Sequence, residues 1–102
     1  MDPHAVTSLA ALEALYATPS DLVRNKVAPR LDAPTRAFLA ASPFVLLGTT
    51  GQDGPHVTPR GDAPGFVTAP DDATVILPDR RGNNRLDALR DILHDPRVAM
   101  LV

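Results

Sequence analysis

Two short stretches gather the residue types that could bind an anion. The first is Pro78-Asp79-Arg80-Arg81-Gly82-Asn83-Asn84-Arg85, which follows a strand-like run and precedes a helical one. A helix N-terminus offers unpaired backbone N–H groups and a partial positive charge, so Arg guanidinium and Asn amide groups collected there suit a phosphomonoester. Arg80 and Arg85 are ranked above Arg81, whose side chain could equally face solvent. The second stretch is His56-Val57-Thr58-Pro59-Arg60-Gly61-Asp62, in which alternation puts His56, Thr58 and Arg60 on one face of a short strand. Thr58 and Arg60 could reach the same phosphate as the later arginines. Both stretches also have a plainer reading. The arginines could pair with Asp79, Asp87 and Asp91 on a solvated surface, and the second stretch could be the polar side of a half-buried hairpin.

Other chemistries find less support. The chain has no cysteine, which excludes disulfides, thiolate catalysis and cysteine-ligated metals. His4, His56 and His94 do not stand at metal-ligand spacing, so no metal site is expected, and His94 fits a helix C-terminal position. Ser8, Ser20 and Ser42 fall at helix boundaries where capping accounts for them, which leaves no Ser-His-Asp nucleophile. Glycine-rich dinucleotide and P-loop motifs are absent. A formal charge of −2 and a pI near 5.8 give no bulk attraction to nucleic acid or anionic membrane. No apolar run approaches a membrane span and the first residues have no signal-peptide pattern, which points to a cytoplasmic location.

The elements that must position these residues follow from punctuation and periodicity. With 102 residues and 44% apolar content the chain is expected to form one domain. Its 11 prolines cut it into short pieces. Leu9, Leu12, Leu15 and Tyr16 share a face at helical spacing over Ser8 to Tyr16. Thr18-Pro19-Ser20-Asp21 opens a second helix, with Thr18 as N-cap and an end near Val27. A third runs from an Asp32 cap to about Ala41 with Phe38 and Leu39 inward, stopped by Ser42-Pro43. Residues 1–41 thus read as a helical flank to residues 42–102.

From Phe44 the texture becomes strand-like. Phe44 to Thr50 and His56 to Pro59 form a hairpin across an Asp53-Gly54 turn, and Phe66 to Ala69 pairs with Thr74 to Pro78. A helix capped by Asn84 places Leu86, Leu89, Ile92 and Leu93 on one side until His94-Asp95-Pro96. Arg97 to Val102 closes as a buried-type strand with no turn after it, from which a missing hairpin partner is expected.

Ser42-Pro43-Phe44, Pro59-Arg60-Gly61-Asp62-Ala63-Pro64-Gly65-Phe66-Val67 and Pro78 through Asp87, with Leu31-Asp32 upstream, resemble a bacterial FMN-dependent branch of the pyridoxamine 5′-phosphate oxidase-like superfamily. The similarity extends from about Ser8 to Val102. The resemblance implies a mainly β fold, an FMN-binding split β-barrel with a helical N-terminal flank, incomplete at its C-terminus. It further implies a homodimer with FMN at the subunit interface. Arg60 is similar to the family's phosphate-binding basic residue on the second barrel strand, and Asn84 and Arg85 occupy the places of its Arg-Lys pair. Thr58, Pro78 and Asp79 would line the phosphate and isoalloxazine side, with Arg80 and Asn83 completing the cofactor-binding set. At Asn84 an amide stands where oxidases of the vitamin pathway carry a cation. The function so implied is a flavin-dependent oxidoreductase. The alternatives are a split barrel holding a deazaflavin or haem, and a non-catalytic or truncated dimerisation module.

Overall fold

The computed structural model describes residues 2–79 and 86–102. Three helices, α1 (Leu9–Leu15), α2 (Asp21–Arg24) and α3 (Ala33–Ala41), precede the strands β1 (Phe44–Gly51), β2 (Gly54–Gly61), β3 (Thr68–Asp71) and β4 (Thr74–Ile76). Helix α4 (Asp87–His94) and strand β5 (Ala99–Leu101) follow. The mainly β architecture with helices at its N-terminal side is the one expected. Its strands form a three-stranded sheet in the order β2-β1-β5 and a separate β3-β4 ribbon, which do not close into a barrel.

Strand β1 is the centre of the sheet and is antiparallel to both neighbours. Its sequence alternates, and so does its burial: Val45, Leu47 and Thr49 are inside, whereas Phe44 and Thr50 are exposed. The β1–β2 hairpin is longer than expected, reaching Gly51 and Gly61, and it turns through Gly54 at φ +117°, a value glycine adopts without strain. Thr49 lies opposite His56, Leu47 opposite Thr58, and Val45 opposite Arg60. Directly paired residues of an antiparallel ladder share a face. The polar side chains of β2 therefore project to the same side as the apolar ones of β1. Pro55 and Pro59 are accommodated because, among the described residues, β2 pairs only with β1, so a missing donor breaks no second ladder.

The core is small. Leu39, Val45 and Val67 are buried together, with Phe66, Ala69, Leu77 and Met100 packed on them. Leu39 carries α3 into this core. Arg36 Nη2 donates to the Ala69 carbonyl at 2.8 Å, and Leu31 N donates to the Asp72 carbonyl at 2.8 Å. These bonds tie α3 and the segment before it to the β3-β4 ribbon. Helices α1 and α2 bury no residue.

Several expectations need correction. Ser20, not Thr18, caps α2: its hydroxyl accepts from Val23 N, which puts Asp21 in the first turn where its charge favours the helix dipole. Phe38 is 66% exposed, because the bonds of Arg36 and the burial of Leu39 turn the adjacent face of α3 inward. On α4 the buried residues are Ala88 and Asp91, while Leu86, Leu89 and Leu93 are exposed. The helix presents a small residue and an acid to the sheet because α4 packs close against β1. The second hairpin is shorter than expected at both ends, spanning only Thr68 to Ile76. Strand β5 is confined to three residues, of which only Met100 is partly buried. No helix among the described residues is long and apolar enough to cross a membrane.

Two measurements test this account. Leu39→Ala should lower unfolding free energy by about 2–5 kcal/mol, read by urea denaturation, since it empties one of the three central core positions. Asp32 Oδ1 accepts from Thr35 N at 2.9 Å as the cap of α3, and the Thr35 side chain, then this backbone bond, hold its carboxyl below the ordinary 3.8. A depressed folded pKa contributes stability that is complete above 3.8 and is lost as pH falls through the lower folded value. The melting temperature of Asp32→Asn should accordingly fall less than that of the parent chain on acidification below pH 3.8. Identical acid profiles would refute the role of this carboxylate.

Candidate functional site

The inner face of β2 carries two polar stations. Arg60 and Thr58 form the first, near the end of the strand. Arg60 is partly buried, with 27% of its side chain exposed, and its Nη1 lies 3.9 Å from Asp79 Oδ1, an electrostatic contact longer than a hydrogen bond. This contact brings the segment after β4 against β2, so the two stretches singled out by sequence do meet at Arg60 and Asp79. Pro78 beside it is half-buried. Thr58 Oγ1 is buried and, among the described residues, has no hydrogen-bond partner. A buried hydroxyl without a partner costs about 1–3 kcal/mol, so such a group marks a place where a ligand atom or water belongs. Arg80, Asn83, Asn84 and Arg85, together with Arg81, lie outside the described residues. Helix α4 begins at Asp87 with Leu86 at the cap position and no side-chain cap bond.

The second station was not anticipated. His56 Nδ1 is 2.6 Å from Asp91 Oδ2, and Thr49 Oγ1 donates to the same carboxylate oxygen at 2.7 Å. Asp91 is only 6% exposed, so its charge is sustained by these two partners. The hydrogen bond to His56, then that from Thr49, holds the Asp91 carboxyl below the usual range. The same bond to Asp91 raises His56 above the ordinary imidazole value, with Asp53 and Asp87 adding to the effect. Asp53 Oδ2 lies 3.5 Å from His56 Nε2. The group lines an open hollow of about 670 Å³ that also includes Gln52, Arg90 and His94. Gly51 makes the close approach of α4 possible, because a Cβ there would collide with Asp91 Oδ1 and meet Asp53 Oδ1 at 3.1 Å.

The family model described as pyridoxamine 5′-phosphate oxidase matches residues 31–102, more than half of the chain. The chain belongs to the pyridoxamine 5′-phosphate oxidase family. Neither the curated proteins nor the solved structures give a match. Membership makes this a protein of a flavin-binding superfamily and accords with the antiparallel, helix-flanked architecture. The matched region contains every strand and both polar stations. For a pyridoxamine 5′-phosphate oxidase family chain, the first station fits a flavin phosphate on its own observations: a partly buried guanidinium, and an orphaned hydroxyl two residues away on the same face.

Sequence reasoning passed over Asp91, Thr49 and Asp53. An acid on the packed side of a helix needs a partner, but the leucines of α4 marked the opposite side as the packed one, so Asp91 gave no signal in sequence. Which residue answers it was not legible, since His56 is 35 positions away.

Gly51→Ala should force the Asp91 carboxylate off its bonds to Thr49 and His56, lowering unfolding free energy by about 1–3 kcal/mol. Hydrogen exchange should accelerate in α4 more than in α3. Unchanged α4 protection would show that the approach at Gly51 does not hold the helix.

Proposed function

We propose that this chain binds FMN through Thr58, Arg60, Pro78 and Asp79 with Arg80, Asn83, Asn84 and Arg85, and serves a flavin-dependent oxidoreductase as a cytoplasmic homodimer. The observation that carries the reading is the buried, unpartnered Thr58 Oγ1 beside the partly buried Arg60. A phosphate oxygen would satisfy the hydroxyl, and the guanidinium would meet the charge in a geometry suited to two parallel bonds. Asp79 beside Arg60 would hold that side chain in place in the cofactor-free protein. Bound there, FMN supplies the electron transfer, while the protein provides binding, orientation and electrostatics. The exposed outer face of the sheet, with Phe44, Val57 and Leu101, supports the dimer part of the reading because apolar side chains on one sheet face favour burial against a partner.

Fluorescence quenching of FMN on titration with the chain tests this. Arg60→Ala should weaken binding by about 10- to 150-fold, the equivalent of one charge-assisted bond. Thr58→Val should weaken FMN binding while raising the melting temperature of the cofactor-free chain, because it removes an unsatisfied buried hydroxyl. Equal FMN affinity in both variants and the parent would overturn the assignment.

A further inference from the structure

We propose that His56 and Asp53, backed by Asp91, form a binding site for a divalent transition-metal cation of the zinc type at the hairpin end of β2. The site is separate from the flavin station. His56 and Arg60 are four residues apart on one strand, about 13 Å at the rise of a β-strand.

Three observations carry the proposal. The first is orientation. His56 Nδ1 is engaged by a buried carboxylate that is itself fixed by Thr49, so the ring is held in one pose with Nε2 directed away from Asp91. A carboxylate behind the far nitrogen is the usual support of a metal-ligating histidine, fixing its tautomer and raising its basicity. The second is spacing. Two donors each about 2.0–2.1 Å from one tetrahedral ion lie about 3.4 Å apart. His56 Nε2 and Asp53 Oδ2 are 3.5 Å apart, too long for a good hydrogen bond and close to that ligand edge. The third is surroundings. The donor atoms of Asp53, His56 and Asp91 lie within 4.8 Å of one another, on the wall of an open hollow. His94 lines the same hollow but is not one of these clustered donors.

The donor set selects the ion. Imidazole nitrogen with one or two carboxylates suits zinc, cobalt or nickel, whereas magnesium and calcium prefer all-oxygen shells. A metal at this point would join Asp53 of the β1–β2 turn to His56, which Asp91 already ties to α4. Ions that bind only the folded state raise its stability in proportion to ligand excess.

The test is a titration of the metal-free chain with Co²⁺ in mildly alkaline buffer, followed by visible absorption and by competition with Zn²⁺. One equivalent of Co²⁺ should give the intense visible bands of a low-coordinate site, Zn²⁺ should erase them, and Mg²⁺ should not. Asp53→Asn removes a ligand from an exposed turn and should weaken Co²⁺ at least about tenfold with an unchanged far-ultraviolet circular dichroism spectrum. His56→Gln should abolish the bands. Absence of Co²⁺ binding by the parent chain would overturn the proposal, as would binding that persists undiminished in folded Asp53→Asn. FMN titration on the same variants separates the two sites: Asp53→Asn should leave flavin affinity unaltered.

Discussion

The buried charge of Asp91 is the constraint on which the arrangement of this chain depends. A carboxylate at 6% exposure must be paired or its helix will not dock. It is paired from two adjacent strands at once, by Thr49 on β1 and His56 on β2. The approach is close enough that a Cβ at position 51 would collide with the Asp91 carboxylate. Apolar packing alone would let α4 slide or rotate on the sheet, since burial is non-directional. Hydrogen bonds to one carboxylate oxygen fix both its height and its rotation.

That fixation matters for the rest of the molecule because α4 follows the arginine- and asparagine-rich stretch that starts at Pro78. Its other boundary, Pro78-Asp79, is drawn to β2 by Arg60. Asp79 and α4 are thus both in contact with β2, one through Arg60 and the other through His56. The inner face of β2 is polar while that of β1 carries Val45 and Leu47, so a single sheet provides both the wall of a core and a polar surface. Val45 and Leu47 exclude water from the base of Arg60 and Thr58, which strengthens any polar contact those side chains make.

In this member of a flavin-binding superfamily the matched region carries both polar stations. Within it the two ends of β2 differ in kind. The Arg60 end offers a cation and a hydroxyl to an anion, and the His56 end offers an imidazole and carboxylates among acidic neighbours. Opposite local charge on one strand face is possible because four residues separate the groups by about 13 Å, beyond a Debye length at physiological ionic strength.

Much of this was written in local sequence. The cap at Asp32, the Asp53-Gly54 turn, the alternation of Phe44 to Gly51 and the common face of His56, Thr58 and Arg60 follow from short-range rules of backbone geometry and periodicity. So does the family, whose motifs are contiguous in the chain. Tertiary structure decided what periodicity cannot: that Phe38 stays in solvent while Leu39 is buried, that α4 turns Ala88 and Asp91 rather than its leucines to the sheet, and that His56 meets a carboxylate 35 residues later. The physical reason is that a helical or strand period fixes which residues share a face, whereas the partner of that face is chosen by how closely two backbones can approach. Here that distance is set by a glycine and an alanine, and the buried acid and its histidine follow from it.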